Sequence, residues 1–140
     1  MKDANLTKAY LQNKDDFANI KINISSLNIK NFKEKQYLLI IQSTIENCIR
    51  LTIYPLEKKS VIKITLAGLN QLENAMDELS KILQNFNIIH TSGLILKREE
   101  VFYECYLNLN FSDERIEALK NNIQKIFKKI KIEEISLNSK

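Results

Sequence analysis

Hydrophobic and polar residues alternate from Val61 to Leu66, with Ile62, Ile64 and Leu66 on one face and Lys63 and Thr65 on the other, so this stretch reads as a strand. Leu69, Leu72, Met76, Leu79, Leu83 and Phe86 then recur at steps of three and four, the spacing of one apolar stripe along a helix. From Asn87 to Leu96 the chain is β-rich again, and a charged connection follows at Lys97 to Glu100. Val101 to Phe111 reads as a long strand whose inner face is Val101, Tyr103, Cys105, Leu107, Leu109 and Phe111. Ser112, ahead of Asp113 and Glu114, is a hydroxyl N-cap followed by acids at the positive end of a helix. Ile116, Leu119, Ile123, Ile126 or Phe127, and Ile130 form its stripe, with Lys128, Lys129 and Lys131 near its negative end. Ile132, Ile135 and Leu137 make a short last strand at an edge.

The order β-α-β-β-α-β predicts an α+β fold: a ferredoxin-like domain over 58–140, with one four-stranded antiparallel sheet and both helices on one face. Residues 1–57 form a separate, β-rich N-terminal module. Leu6 to Leu11 reads as a short helix, and Ile20, Ile22 and Ile24 alternate as a strand. Ser25 to Lys35 is a polar turn or a single helical turn. Gln36 to Thr44 and Cys48 to Tyr54 form a hairpin around Glu46-Asn47, and Leu56 to Ser60 links the two modules.

Composition adds limits more than direction. A chain of 140 residues can bury a core without a disulfide or metal, and its 44% hydrophobic and 27% charged residues are ordinary for a globular protein. With only two glycines and one proline, asparagine takes many of the turns. The net charge of +4 comes from lysines interleaved with acids, which is weak grounds for a polyanion partner. No apolar run reaches the roughly 20 residues needed to span a bilayer, and the N-terminus leads into no signal-peptide core. A cytoplasmic protein, without a membrane partner and with Cys48 and Cys105 as reduced thiols, is expected.

Catalytic chemistry has little to stand on. His90 is the single histidine and has no acid or cysteine at ligand spacing, so no metal and no cofactor is expected. Cys105 lies on an inner face and reads as a small core residue. Glu99-Glu100 reads as a solvated turn, although paired acids can also coordinate a cation. Neither a glycine-rich phosphate loop nor a nucleophile elbow is present, and the chain is not expected to be an enzyme. Phe102 and Tyr106 point away from the helices, as the stacking aromatics of RNA-binding modules do, but Glu104 between them would repel a phosphate backbone. Such a face reads instead as a protein interface, so Phe102 and Tyr106 are expected to form an exposed patch that is covered in a homodimer.

Residues 61–137 resemble the ACT domain, a small-ligand regulatory module of amino-acid metabolism. The resemblance rests on the strand Ile62-Lys63-Ile64-Thr65-Leu66, the loop Ala67-Gly68-Leu69-Asn70, Leu72 at the helix start, and Phe86-Asn87-Ile88-Ile89 entering the next strand. It implies an amino-acid site made from Gly68, Leu69, Asn70 and Gln71 together with Asn87 and Ile88, usually across a dimer interface. Where the family has Pro-Gly before the helix, this chain has Leu69-Asn70, with its glycine two places earlier. The N-terminal module is similar to AbrB-like swapped-hairpin DNA-binding modules, with Lys21-Ile22-Asn23-Ile24-Ser25 where that family has Arg-Ile-Thr-Ile-Pro, Leu27 to Phe32 as its short helix and Tyr37 to Pro55 as its closing hairpin. That similarity implies DNA contact through Lys21, with Lys30, Lys33 and Lys35 as further candidates, or dimerisation alone. The expectation is therefore a regulatory homodimer sensing an amino acid or similar ligand; its rival is an interaction subunit that binds another protein and no small molecule.

Overall fold

The computed structural model describes residues 6–16, 32–70 and 74–137. It is an α+β protein with two helices and eight strands among the described residues. The chain divides into two compact units, Thr7–Ser60 with Ile135–Lys140, and Val61–Glu134 with Met1–Leu6.

The first unit is a three-stranded sheet in the order β1-β2-β3, from Lys8–Asn13, Tyr37–Ile45 and Cys48–Leu56. The β2–β3 hairpin lies where alternation placed it: Ile45 opposes Cys48 across Glu46-Asn47, and Glu46 takes a left-handed φ of 49°. Leu6 to Leu11 is not a helix. Lys8–Asn13 is strand β1, antiparallel to β2 from Lys8↔Gln42 to Asn13↔Tyr37. Leu6 and Tyr10 are four apart and mimic a helical stripe, but Leu11 is the buried residue and Tyr10 is exposed. Pairing with the wholly buried run Tyr37 to Ile41 decides the conformation, and that partner is remote in sequence. Single 3-10 turns occupy Lys14–Asp16 and Phe32–Glu34. The strand expected at Ile20 to Ile24 lies outside the described residues. Near the end of the chain, Leu137 bridges Leu11 in parallel and donates its N–H to the Lys59 carbonyl at 3.1 Å.

The second unit contains β4 (Ser60–Leu69), α1 (Ala75–Leu83), β5 (Ile88–Thr91), β6 (Ile95–Lys97), β7 (Glu100–Leu107), α2 (Arg115–Ile123) and β8 (Phe127–Ser136). Its sheet runs β5-β7-β4-β8, with β6 also on β7, and β4 and β5 are each antiparallel to β7. Ile62, Ile64 and Leu66 of β4 and Tyr103, Cys105 and Leu107 of β7 pack with Leu79 and Leu83 of α1 and Leu119 and Ile123 of α2. Both helices therefore cover one face of the sheet. Of the inner faces read from alternation, the core uses Ile62, Ile64 and Leu66 and then Tyr103, Cys105, Leu107 and Leu109, but not Val101 or Phe111.

Element boundaries differ from expectation for local reasons. Leu69 ends β4 instead of opening a helix, because Gly68 takes a φ of +73° and the Asn70 N–H is held by the Ile126 carbonyl at 2.8 Å. Leu72 lies outside the described residues, and Met76 is exposed, not buried. The second helix begins at Arg115 rather than at Ser112, and its first turn is held by Asp113, whose Oδ1 accepts the Arg115 N–H at 2.9 Å. It stops at Ile123, so Phe127 and Ile130 belong to β8. The β-rich run after Asn87 is split at Gly93, with φ +71°, into β5 and β6. Phe111 lies beyond β7 and is 50% exposed.

Candidate functional site

The residues expected to hold a ligand fall into two groups. Gly68, Leu69 and Asn70 stand at the end of β4, and Gln71 lies outside the described residues. A Cβ on Gly68 would meet Glu100 Oε1 at 3.3 Å and the Lys128 Cβ at 3.4 Å, so glycine is favoured there by its φ of +73°, with only the movable Glu100 carboxylate slightly crowded. The Asn70 side-chain amide points to the carbonyls of Lys125 and Gln124 at 3.3 and 3.4 Å, tying this loop to the end of α2. Asn87 and Ile88 are exposed at the start of β5. Ile88 is level with Leu107, which is level with Ile62, and Gly68 lies six residues beyond Ile62 along β4. At about 3.3 Å per residue, the two groups are about 20 Å apart at opposite ends of the sheet. One copy of the unit does not bring them together.

Of the candidate DNA contacts, Lys21 and Lys30 lie outside the described residues, and Lys33 is exposed. Lys35 is not a free phosphate ligand, because its Nζ meets Glu57 Oε1 at 3.3 Å. Phe102 and Tyr106 do lie on the sheet face away from the helices, but they do not form an exposed patch. Phe102 packs with Ala67 and Leu6, and Tyr106 is fully buried. Tyr106 meets the His90 ring edge-on, with centroids 6.0 Å apart, and the Lys63 ammonium stands 5.9 Å from its own centroid. The turn Glu99 is exposed, while Glu100 pairs with Lys129 at 3.2 Å.

The same face holds a cluster that alternation alone did not reveal. Lys63 Nζ and Glu104 Oε2 pair at 3.1 Å with side-chain exposures of 5% and 1%. Glu104 Oε2 also accepts the Leu6 N–H at 3.1 Å. The Glu104 backbone is clamped by Ser92: its carbonyl accepts the Ser92 N–H, and its N–H donates to Ser92 Oγ, both at 2.9 Å. Thr65 lies opposite Glu104 in the register, and its hydroxyl is buried without a hydrogen-bond partner among the described residues. The available signal was a single charge at the outward position of each of two otherwise uncharged strand centres, Lys63 in β4 and Glu104 in β7. Only the β4–β7 register shows that they meet.

Electrostatics here favour structure over reactivity. Burial pushes the Cys105 thiol up to about 12, with Glu104 adding to the effect, so it stays protonated and is no nucleophile. Burial also lowers the pKa of His90, partly opposed by the Glu104 charge, which keeps the imidazole neutral at neutral pH. Among the described residues, no group of three or more His, Cys, Asp or Glu side chains is gathered to hold a metal ion, and no helix is long and apolar enough to cross a membrane. No protein-family model matches the chain, and no curated protein matches it.

Proposed function

We propose that this chain is a non-catalytic regulatory protein whose second unit is a ferredoxin-like, ACT-type module that senses an amino acid or similar small ligand in a homodimer. The sheet order β5-β7-β4-β8 with both helices on one face supports such a module. The observation that carries the proposal is the separation of Gly68–Asn70 from Asn87–Ile88 across the sheet. A ligand the size of an amino acid can touch both groups only if a second copy brings its β5 to the β4 end of the first. The β5–β6 edge offers a surface for that contact, since Ile88, Leu94 and Leu96 are exposed along it, Leu96 at 73%. This edge replaces Phe102 and Tyr106 as the dimer surface. The N-terminal sheet would then add dimer contacts, or DNA contacts through Lys21, Lys30 and Lys33.

Light scattering on the full chain, paired with a thermal-shift screen of the twenty amino acids, tests this function. A dimer at micromolar concentration, stabilised by one class of amino acid, is expected, because a ligand bound only by the native state raises its stability. A monomer with twenty unchanged melting curves refutes it. One observation favours the rival function, a protein-binding subunit without a small ligand: the Asn70 amide is already engaged by the Gln124 and Lys125 carbonyls that follow α2. A dimer that no amino acid stabilises would select that rival.

A further inference from the structure

Outside the candidate ligand loop, α2 and β8 enclose an open cleft of about 340 Å³. Its floor is aliphatic: Ile116 of α2 and Ile130 and Ile132 of β8 line it, each partly buried against the core. Phe111, half-exposed, forms one wall. Its rim is acidic. Glu114 and Glu117 are exposed on it and lie within ion-pair distance of no cation among the described residues, although the Glu114 charge is felt by the neighbouring Arg115. Lys120 is the one cation among the described residues that lines the cleft. Asp113 also lines the cleft, but its two carboxylate oxygens are engaged by Arg115 at 3.0 Å each.

The sign of this rim is opposite to that of the molecule, which carries +4 overall. A basic partner is repelled by the chain as a whole and attracted here, so charge selects the place as well as the partner. An apolar floor under unpaired carboxylates also fits side chains with an aliphatic stem and a cationic head. The geometry points to this cleft as a docking site for a basic, aliphatic segment of a partner protein. Its leucine-like side chains rest on Ile116, Ile130 and Ile132 and against Phe111. Its lysine or arginine heads meet Glu114 and Glu117. This site is independent of the amino-acid site and needs no second copy.

The test uses the full chain and a short fluorescein-labelled peptide alternating lysine with leucine, followed by anisotropy and by amide chemical shifts of the unlabelled peptide with labelled protein. Saturable binding that weakens as salt rises is expected, with shifts centred on Ile116, Ile130 and Ile132. Reversing both rim charges, with Glu114→Lys and Glu117→Lys, should weaken binding about tenfold. Phe111→Ala, at a half-exposed position outside the helices, should weaken it without changing the circular dichroism. The proposal is overturned if the charge-reversed protein binds equally well, or if a glutamate–leucine peptide binds as tightly. It is overturned equally by shifts that map elsewhere, or by shifts at these isoleucines that follow protein concentration alone, since a second copy would then be the occupant.

Discussion

Removing one partner of the Lys63–Glu104 pair should destabilise the protein far more than removing both. At 3.1 Å, two unit charges in a medium of effective dielectric about 20 attract by about 5 kcal/mol. Taking each ion from water costs several kcal/mol, so the pair as a whole contributes little net stability. A single substitution exposes the penalty. Lys63→Met keeps the aliphatic stem but removes the cation 3.1 Å from the buried Glu104 carboxylate, at an expected cost of about 3–5 kcal/mol. Glu104→Leu removes the carboxylate that Lys63 meets at 3.1 Å and also the acceptor of the Leu6 N–H, the latter adding about 1 kcal/mol. The double variant buries two apolar side chains of similar size and should lie only about 1–2 kcal/mol below the parent, well short of the sum. Urea denaturation followed by far-ultraviolet circular dichroism measures the three differences at one pH. Additivity within about 0.5 kcal/mol would refute a buried, coupled pair.

Other outcomes follow from single residues. His90 has a folded pKa below its ordinary 6.5, so its contribution is full above that pH and is lost as the pH falls and the unfolded chain takes up the proton. The melting temperature should therefore decline on acidification below about pH 6.5, with a shallower slope in His90→Gln, and an unchanged slope would contradict the assignment. Ellman's reagent should titrate exposed Cys48 in the native protein and reach Cys105 only on unfolding, so fast reaction of both thiols would refute the burial of Cys105. Gly68→Ala should cost more stability than Gly93→Ala: both take a positive φ, worth about 1–2 kcal/mol, but only Gly68 has neighbours in the path of a Cβ. Arg98 and Glu99 both have positive φ in the two-residue turn between β6 and β7, so replacing them with Asn and Gly should stabilise the protein by about 1–2 kcal/mol in thermal or urea unfolding.

Periodicity found the elements whose burial is local. The inner faces of β4 and β7 and the stripes Leu79–Leu83 and Leu119–Ile123 lie in the core because each repeats at the period of its own structure. The β2–β3 hairpin was legible because its strands adjoin in sequence. The errors occur where a remote partner decides. β1 resembles a short helix until β2 supplies its ladder, and Leu69 resembles a helix start until Gly68 and the Ile126 carbonyl hold it in line with β4. Phe102 and Tyr106 were placed on the correct face, but pattern alone did not show that Leu6, His90 and Lys63 would surround them. The candidate ligand residues share a motif in sequence and stand far apart in space, since the α1 connection returns the chain to the opposite end of the sheet.

The path of the chain between the two units constrains how the molecule is made. It crosses between them after Leu6, after Ser60 and again after Glu134. During synthesis, β1, β2 and β3 leave the ribosome first, yet Leu137, which bridges Leu11 and donates to Lys59, is translated after the whole of the other unit. The first unit therefore receives its last two contacts, from Leu137 to Leu11 and Lys59, only after the other unit has been made. Leu6 faces the reverse problem, since it waits through nearly a hundred residues of elongation for Glu104. A chain stalled short of residue 137 should keep the β1-β2-β3 ladder and lack only the Leu137 bridge to Leu11 and the hydrogen bond to Lys59.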